Sequence, residues 1–202
     1  ITANFKSWTE MGQTGPEDPP PPPPSGDAHY VVLIIGQSNG MNWGNNASAK
    51  AQFVTDLQAA MGNTRPVVFL NKAIGGSAIS TWAPGQGNYN AAVTAWNAAM
   101  AVPGAVPGAV IWWQGERDSP NCAAAALWDD SLRVIISSLK TAVQQPGLPV
   151  VVTELFTNPS PTQRPYWALI QRWQREVGSE NVAVSAADLV GTAADPVHLG
   201  SA

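Results

Sequence analysis

The chain has 202 residues, a formal net charge of −4 and a pI near 5.0. An acidic chain lacks the basic face that neutralises phosphates, so we expect no nucleic-acid partner. Hydrophobic residues make up 45% of the sequence and charged residues 12%, which is typical of a chain that is mostly folded. The most apolar stretch, residues 100–113, is shorter than a membrane-spanning helix and contains two prolines. We therefore expect no membrane association.

Cysteine and histidine are scarce. Cys122 is the one cysteine, which excludes an internal disulfide, and His29 and His198 are the two histidines. A zinc site usually takes several ligands of these two types. We expect neither a metal ion nor an organic cofactor.

The N-terminal segment contains six consecutive prolines, residues 19–24. Such a run favours polyproline II and acts as a semi-rigid spacer. We interpret residues 1–28 as an N-terminal remnant with a proline-rich linker, and residues 29–202 as one domain tethered by it to another. A disordered tail is the alternative for the first segment. The start at Ile1 indicates a processed product or an excised fragment.

Short apolar runs alternate with longer segments of helical periodicity. Apolar runs without polar alternation are typical of strands buried on both faces of a parallel sheet. Strand–helix alternation implies right-handed crossovers, so we expect an α/β fold: a three-layer α/β/α sandwich around a five-stranded, parallel, flavodoxin-like sheet. The predicted strands are residues 30–35, 66–70, 109–113, 149–153 and 181–185, and the predicted helices are residues 48–61, 89–100, 122–145 and 163–177.

Polar and glycine-rich segments follow the predicted strands, where parallel α/β sheets place their sites. Ser38 follows the first strand between two glycines, in a context that resembles a nucleophile elbow, although an ordinary helix cap is the alternative. Gly75 and Gly76 follow the second strand, where glycines let backbone approach a ligand. Gln114 follows the third, and its side-chain amide could donate to a developing oxyanion, although a loop glutamine with satisfied hydrogen bonds is the favoured alternative for this segment alone.

Asp195 and His198 lie near the C-terminus, three residues apart. A histidine is the usual neutral base for a serine near pH 7, and an aspartate can fix its tautomer and stabilise the imidazolium. His29 lies before the first strand, away from the expected crevice. A surface turn is the alternative for the Asp-x-x-His segment taken alone.

Together these segments resemble the SGNH hydrolases, in the branch of sialate O-acetylesterases and acetyl xylan esterases. The resemblance lies in four sequence blocks and runs from Val31 to the C-terminus. Family members usually continue into a terminal helix, whereas this chain stops at Ala202. The four blocks are Gly36-Gln37-Ser38-Asn39, Gly75-Gly76-Ser77, Trp113-Gln114-Gly115-Glu116 and Asp195-Pro196-Val197-His198.

The resemblance implies a serine esterase that removes O-acetyl groups from a carbohydrate or polysaccharide. Ser38 would be the nucleophile, His198 the general base and Asp195 the acid that orients it. The oxyanion hole would comprise the backbone N–H of Ser38, that of Gly76 (less so Gly75) and the side chain of Gln114.

Glu116 is open between two roles: assisting His198, or holding its loop through backbone amides, which we favour. Nine tryptophans agree with a saccharide substrate, because indole faces stack on sugar rings. We predict Trp43, Trp82 and Trp112 as substrate contacts, with core packing as the alternative. The linker suggests an extracellular or virion-associated module of a larger protein.

Two other functions fit the same blocks. A catalytically silent carbohydrate-binding module would bind saccharide without releasing acetate. A lipase or thioesterase would use the same triad with a long apolar acyl groove, although the polar segments at residues 42–46 and 85–90 argue against such a groove.

Overall fold

A computed structural model of the chain describes residues 28–156 and 162–184, with backbone only for the last three. Five strands and six α-helices alternate along these residues, and one short 3₁₀ helix precedes the third α-helix. The strands are β1 (His29–Gly36), β2 (Val67–Asn71), β3 (Ala105–Trp113), β4 (Val150–Thr153) and β5 (Val182–Val184). The α-helices are α1 (Ser38–Asn45), α2 (Ala47–Met61), α3 (Gly87–Met100), α4 (Cys122–Ala126), α5 (Trp128–Ala142) and α6 (Trp167–Glu180), and the 3₁₀ helix is Ile79–Trp82.

The five strands form one parallel sheet in the order β2-β1-β3-β4-β5. The chain runs outward to one edge after β1, then returns past β1 to build the other side. This is the flavodoxin-like order, and it reverses direction between β1 and β3. The predicted α/β/α fold with a five-stranded parallel sheet is confirmed.

Side chains of β1 point alternately to two separate hydrophobic layers. Val31, Leu33 and Ile35 belong to the larger layer, which also contains apolar side chains of α3, α5 and α6. Val32 and Ile34 belong to the smaller layer, against which apolar residues of α1 and α2 pack. Burying one large apolar side chain contributes about 1.5–3 kcal/mol, so both faces of the central strand stabilise the sandwich.

Strand β3 begins four residues earlier than the prediction of residues 109–113, although it contains Pro107. The pairing register with β1 shifts next to this proline, because Val31 pairs with Pro107 and Val32 pairs with Ala109. Gly108 is the extra residue, and a Cβ there would lie 2.7 Å from the Val31 carbonyl oxygen. A proline is tolerated in a strand at such a bulge.

The helices differ from the prediction in three places, one of which is α6, which begins four residues and ends three residues later than the predicted 163–177. The predicted helix over residues 122–145 is divided at Leu127, which has a non-helical φ of −105° and ψ of 6°. Helix α1 was not predicted, because its glycines and asparagines indicate a turn more than a helix. Among residues 28–156 and 162–184, no helix is long and apolar enough to cross a membrane.

Gly36 makes the turn between β1 and α1 possible, so Gly36→Ala should destabilise the protein severely. Its φ is +122°, and an added Cβ would lie 2.0 Å from the Trp113 carbonyl oxygen. We expect a loss of roughly 3 kcal/mol or more in the free energy of unfolding, measured in urea.

Gly62→Ala is the matched control for that measurement. Gly62 has a left-handed φ of +61°, and nothing lies within 4 Å of an added Cβ. Gly62→Ala should lower the free energy of unfolding by only about 1 kcal/mol, which is the cost of a left-handed backbone at a residue with a side chain. Equal losses in the two variants would show that the contact with Trp113 is not the cause.

Candidate active site

The candidate site lies at the carboxyl ends of β1 and β3, where the strand order reverses. Ligands of open α/β sheets bind in the crevice at this point. The two strand ends are joined directly, because the backbone N–H of Gln37 donates to the Trp113 carbonyl at 2.7 Å. Ser38 and Gln114 directly follow these two joined residues, so their backbones lie side by side.

Ser38 is the first residue of α1 and is largely buried. Gln37 before it is extended, and the Gln37 carbonyl accepts from the backbone N–H of Met41 in the first helical turn. The start of a helix favours negative charge, because backbone N–H groups there point outward along the axis. This position suits a hydroxyl on which negative charge develops.

The glycine loop after β2 is attached to the same turn. The carbonyl of Gly36 accepts from the backbone N–H of Ile74 at 3.0 Å and from the Ser77 hydroxyl at 3.0 Å. The backbone N–H of Ser77 donates to the Ile74 carbonyl at 3.2 Å and closes a turn in which Gly76 has a φ of +69°. Within the described residues, the N–H groups of Gly75 and Gly76 donate to no protein acceptor. Both glycines are exposed, so these two donors are open to a ligand.

Gln114 does not have the environment predicted for a direct oxyanion donor. Its side chain is 0% exposed, and its Nε2 donates to Asp118 Oδ2 and to the Ser77 carbonyl at 3.2 Å. Gln37 Oε1 lies 3.4 Å from the same nitrogen. Two amide hydrogens thus face three protein acceptors. In this arrangement Gln114 lies behind the glycine loop and hydrogen-bonds it, and its role as an oxyanion donor stays a prediction.

Asp118 is a site residue that the sequence analysis missed. Its side chain is only 3% exposed, and Oδ2 accepts from Gln114 Nε2 and from the backbone N–H of Ile79, the latter at 2.9 Å. Burial raises the pKa of the Asp118 carboxyl above its ordinary 3.8, and these two hydrogen bonds and the charge of Arg117 oppose that rise. Its place four residues after Gln114 was the available signal, but an aspartate in a loop is usually solvated.

Glu116 lies under the start of α1. Its Oε1 accepts from Asn39 Nδ2 at 2.6 Å, and Asn39 directly follows Ser38. Its carbonyl accepts from the Ser119 hydroxyl at 2.8 Å and from Arg164 Nη1. This contact of the carboxylate is with the Asn39 side chain and not with a backbone amide, and the choice between the two roles of Glu116 stays a prediction.

Of the three tryptophans predicted to contact substrate, two are fully buried and the third, Trp43, is half-buried. Trp82 and Trp112 are 0% exposed and contact each other edge to face. Trp43 packs edge to face on Phe53 and Phe69 in the smaller hydrophobic layer. The fully buried pair has no face on which a sugar could stack, so the core-packing alternative holds for Trp82 and Trp112. Trp82 does contribute to the site, because its Nε1 donates to the Ser77 hydroxyl at 3.0 Å.

Asp195 and His198 lie outside the described residues, as does the segment over residues 1–27 that contains the proline run. The remaining predicted site residues, Ser38, Gly76 and Gln114, are brought together by the loops described above. In the described part of the chain, no cluster of three or more histidine, cysteine or acidic side chains could hold a metal ion.

The fold and the four sequence blocks define the class as an SGNH-type esterase. Residues 42–202 match the family described as carbohydrate esterase, sialic acid-specific acetylesterase. The chain belongs to this family and so to the carboxylic ester hydrolases. The matched segment contains Gly76, Gln114 and the Asp195–His198 block, and it begins shortly after Ser38. No curated protein sequence matches the chain significantly.

Solved structures confirm the fold. A protein from Arabidopsis thaliana superposes with a TM-score of 0.70 at 18% identity, over 85% of this chain and 91% of that one. A carbohydrate acetylesterase from Xanthomonas citri gives a TM-score of 0.62 at 18% identity, over 83% of this chain and 52% of that one. An acetyl xylan esterase gives 0.54 at 14% identity, over 85% and 91%.

Replacing Asp118 by asparagine should change the pH dependence of stability. A carboxyl whose pKa is raised by folding contributes stability that is present below its unfolded pKa and lost as the pH rises through its folded pKa. Asparagine does not titrate. The free energy of unfolding of Asp118→Asn minus that of the native chain should therefore increase from about pH 3 to pH 7. Urea unfolding across this range measures the difference, and a difference that stays constant or falls would contradict the assignment.

Proposed function

We propose that the protein is a serine O-acetylesterase that acts on an acetylated carbohydrate, with Ser38 as the nucleophile. The observation that carries this proposal is the position of Ser38. It begins a helix at the point where the sheet order reverses, beside a glycine loop whose two N–H groups are open to a ligand. Membership of a carbohydrate esterase family supports the acyl chemistry and the substrate class.

In the proposed reaction the Ser38 hydroxyl attacks the acetyl carbonyl while His198 accepts its proton. Asp195 hydrogen-bonds the other ring nitrogen of His198 and stabilises the imidazolium. The tetrahedral intermediate collapses, the C–O bond to the sugar breaks, and His198 returns the proton to the departing sugar hydroxyl. Water then attacks the acetyl-serine with His198 again as base, which releases acetate and restores Ser38.

The negative oxygen of the intermediate would be bound by the backbone N–H groups of Ser38 and Gly76. Donors fixed in place before the reaction stabilise developing charge without reorganising, and one such donor contributes about 10²–10³ in rate. Gly76 has a left-handed φ of +69°, which favours glycine, and nothing lies within 4 Å of an added Cβ, so the loop is open on that side. Gln114 would act from behind this loop.

The proposed substrate carries a small acyl group on a sugar hydroxyl. The family description names sialic acid, and two similar folds belong to an acetyl xylan esterase and a carbohydrate acetylesterase. Neither a metal ion nor an organic cofactor enters the proposed steps. We also propose that the proline run tethers this domain to another, in an extracellular or virion-associated protein.

Ser38→Ala should abolish hydrolysis of p-nitrophenyl acetate. We expect kcat to fall by about 10⁴–10⁶-fold, because the covalent step loses its nucleophile. Ser137→Ala, at an exposed serine of α5, is the matched control and should keep native rates. A fluorophosphonate should label Ser38, as detected by mass spectrometry, and acetate should be the preferred acyl group over butyrate and decanoate.

Each contrary outcome of this assay points to a different function. A folded native chain that neither hydrolyses esters nor takes the label would overturn the esterase proposal. Saccharide binding without acetate release would indicate a binding module, and faster hydrolysis of decanoate would indicate a lipase or thioesterase. Release of acetate from acetylated xylan, O-acetyl sialosides and bacterial polysaccharides then separates the substrates.

His198→Gln should reduce kcat for p-nitrophenyl acetate by about 10⁴–10⁶-fold, because no other proposed group removes the Ser38 proton. His29→Gln is the matched control, since His29 begins β1 and Ser38 follows the opposite end of that strand. At about 3.3 Å per residue, the two positions are more than 20 Å apart. Equal activity in His198→Gln and the native chain would show that another group is the base.

A further inference from the structure

We infer that Asp118 is a positioning residue for the proposed esterase: it holds the loop over residues 74–79 so that the Gly76 N–H points at the oxyanion. This inference rests on the proposed function, because it assigns a task within that site. Asp118 acts on the loop through two connections, one direct and one through Gln114.

The direct connection reaches the end of the loop. Asp118 Oδ2 accepts from the backbone N–H of Ile79 at 2.9 Å, at the start of the 3₁₀ helix. The carboxylate is only 3% exposed, so this hydrogen bond has little competition from water. It fixes the backbone three residues after Gly76.

The indirect connection reaches the middle of the loop. Gln114 Nε2 donates both to Asp118 Oδ2 and to the carbonyl of Ser77, the residue directly after Gly76. The orientation of this amide is determined by Trp128, whose Nε1 donates to Gln114 Oε1 at 2.8 Å. An indole N–H can only donate, so the oxygen of the amide must face Trp128 and the nitrogen must face Asp118 and Ser77.

The loop needs such support because few side chains pack around the residues that would bind the oxyanion. Ile74, Gly75 and Gly76 are exposed, and the two glycines have no side chains to pack. The Gly36 carbonyl holds the front of the loop, through the Ile74 N–H and the Ser77 hydroxyl. Asp118 holds the back. With both ends fixed, the peptide before Gly76 keeps one direction, which is the condition for an effective oxyanion donor.

Asp118→Ala removes the acceptor and should reduce kcat for p-nitrophenyl acetate by about 10–100-fold, somewhat less than loss of one complete donor. KM should change by less than about twofold, because the ground-state ester makes the weaker hydrogen bond. Asp118→Asn should recover most of the loss, because its carbonyl oxygen can accept from both Ile79 and Gln114. Asp56→Ala, at an exposed aspartate of α2, is the matched control.

Hydrogen exchange of the peptide over residues 73–79 supplies a readout that does not depend on turnover. Exchange should increase in Asp118→Ala and stay near the native rate in Asp118→Asn. If Asp118→Ala does not fold, Trp128→Phe replaces it, since it removes the N–H that orients the amide. We expect Trp128→Phe to reduce kcat severalfold, with increased exchange in the same peptide.

Three results would overturn the inference. They are a folded Asp118→Ala with native kcat and native exchange in the loop, an asparagine variant as impaired as the alanine variant, and a folded Trp128→Phe with native kcat. Failure of the proposed function is a separate result: the native chain is inactive and Ser38 takes no label. Loop exchange in the Asp118 variants then still decides whether Asp118 positions the loop.

Discussion

The close approach of β1 and β3 at Gly36 is the constraint on which the site depends. The Gly36 Cα lies so near the Trp113 carbonyl that no side chain fits, and the Gln37 N–H donates to that same carbonyl. The chain can then turn directly from strand into helix, with Ser38 as the first helical residue. The Gly36 carbonyl in turn anchors the glycine loop at two points. One backbone position thus fixes both the nucleophile and the loop proposed to bind the oxyanion.

Beneath this turn lies a layer of buried polar side chains that hydrogen-bond one another. The Gln114 side chain connects Asp118 to the Ser77 carbonyl, and the Gln114 backbone carbonyl accepts from Gln174 Nε2 at 2.9 Å. Trp128 donates to the amide oxygen from the side of α5. Buried polar groups are costly when unpaired and rigid when fully paired. This layer contacts the loop at the Ser77 carbonyl and the Ile79 N–H, and the inferred support of the exposed glycines depends on these two contacts.

Sequence patterns predicted the sheet well and the chemistry of the site unevenly. Uninterrupted β-branched runs such as Val31–Ile35 indicate strands buried on both faces. All five predicted strands are present, and except for the start of β3 their ends lie within a residue or two of the predicted ends. The early start of β3 was not predictable, because a proline argues against a strand unless a bulge accommodates it. The roles of Ser38 and Gly76 stay predictions, which come from local patterns because the glycines beside them make those patterns recognisable.

The unpredicted features depend on contacts between distant residues. Trp82 and Trp112 could stack on sugar or on each other, and only the packing of the 3₁₀ helix against β3 decides that they are buried together. Gln114 has the chemistry of an oxyanion donor, but Trp128 and Asp118 determine where its amide points. Asp118 itself has no local pattern that separates it from a solvated loop aspartate. Such roles come from the tertiary fold and leave little mark on the nearby sequence.

The buried polar layer also bears on the choice between an esterase and a module that only binds saccharide. For a neutral sugar such as xylan, binding alone needs contacts with hydroxyls and ring faces, and it gains little from a pair of backbone donors beside a helix start that no described residue accepts from. Stabilising an oxyanion needs exactly placed donors that do not reorganise when charge develops. The side chains of Asp118, Gln114 and Trp82 all act on the loop from its protein side, and two of the three reach Ser77 directly. A fold that places buried hydrogen bonds behind two exposed glycines favours the proposed acyl transfer.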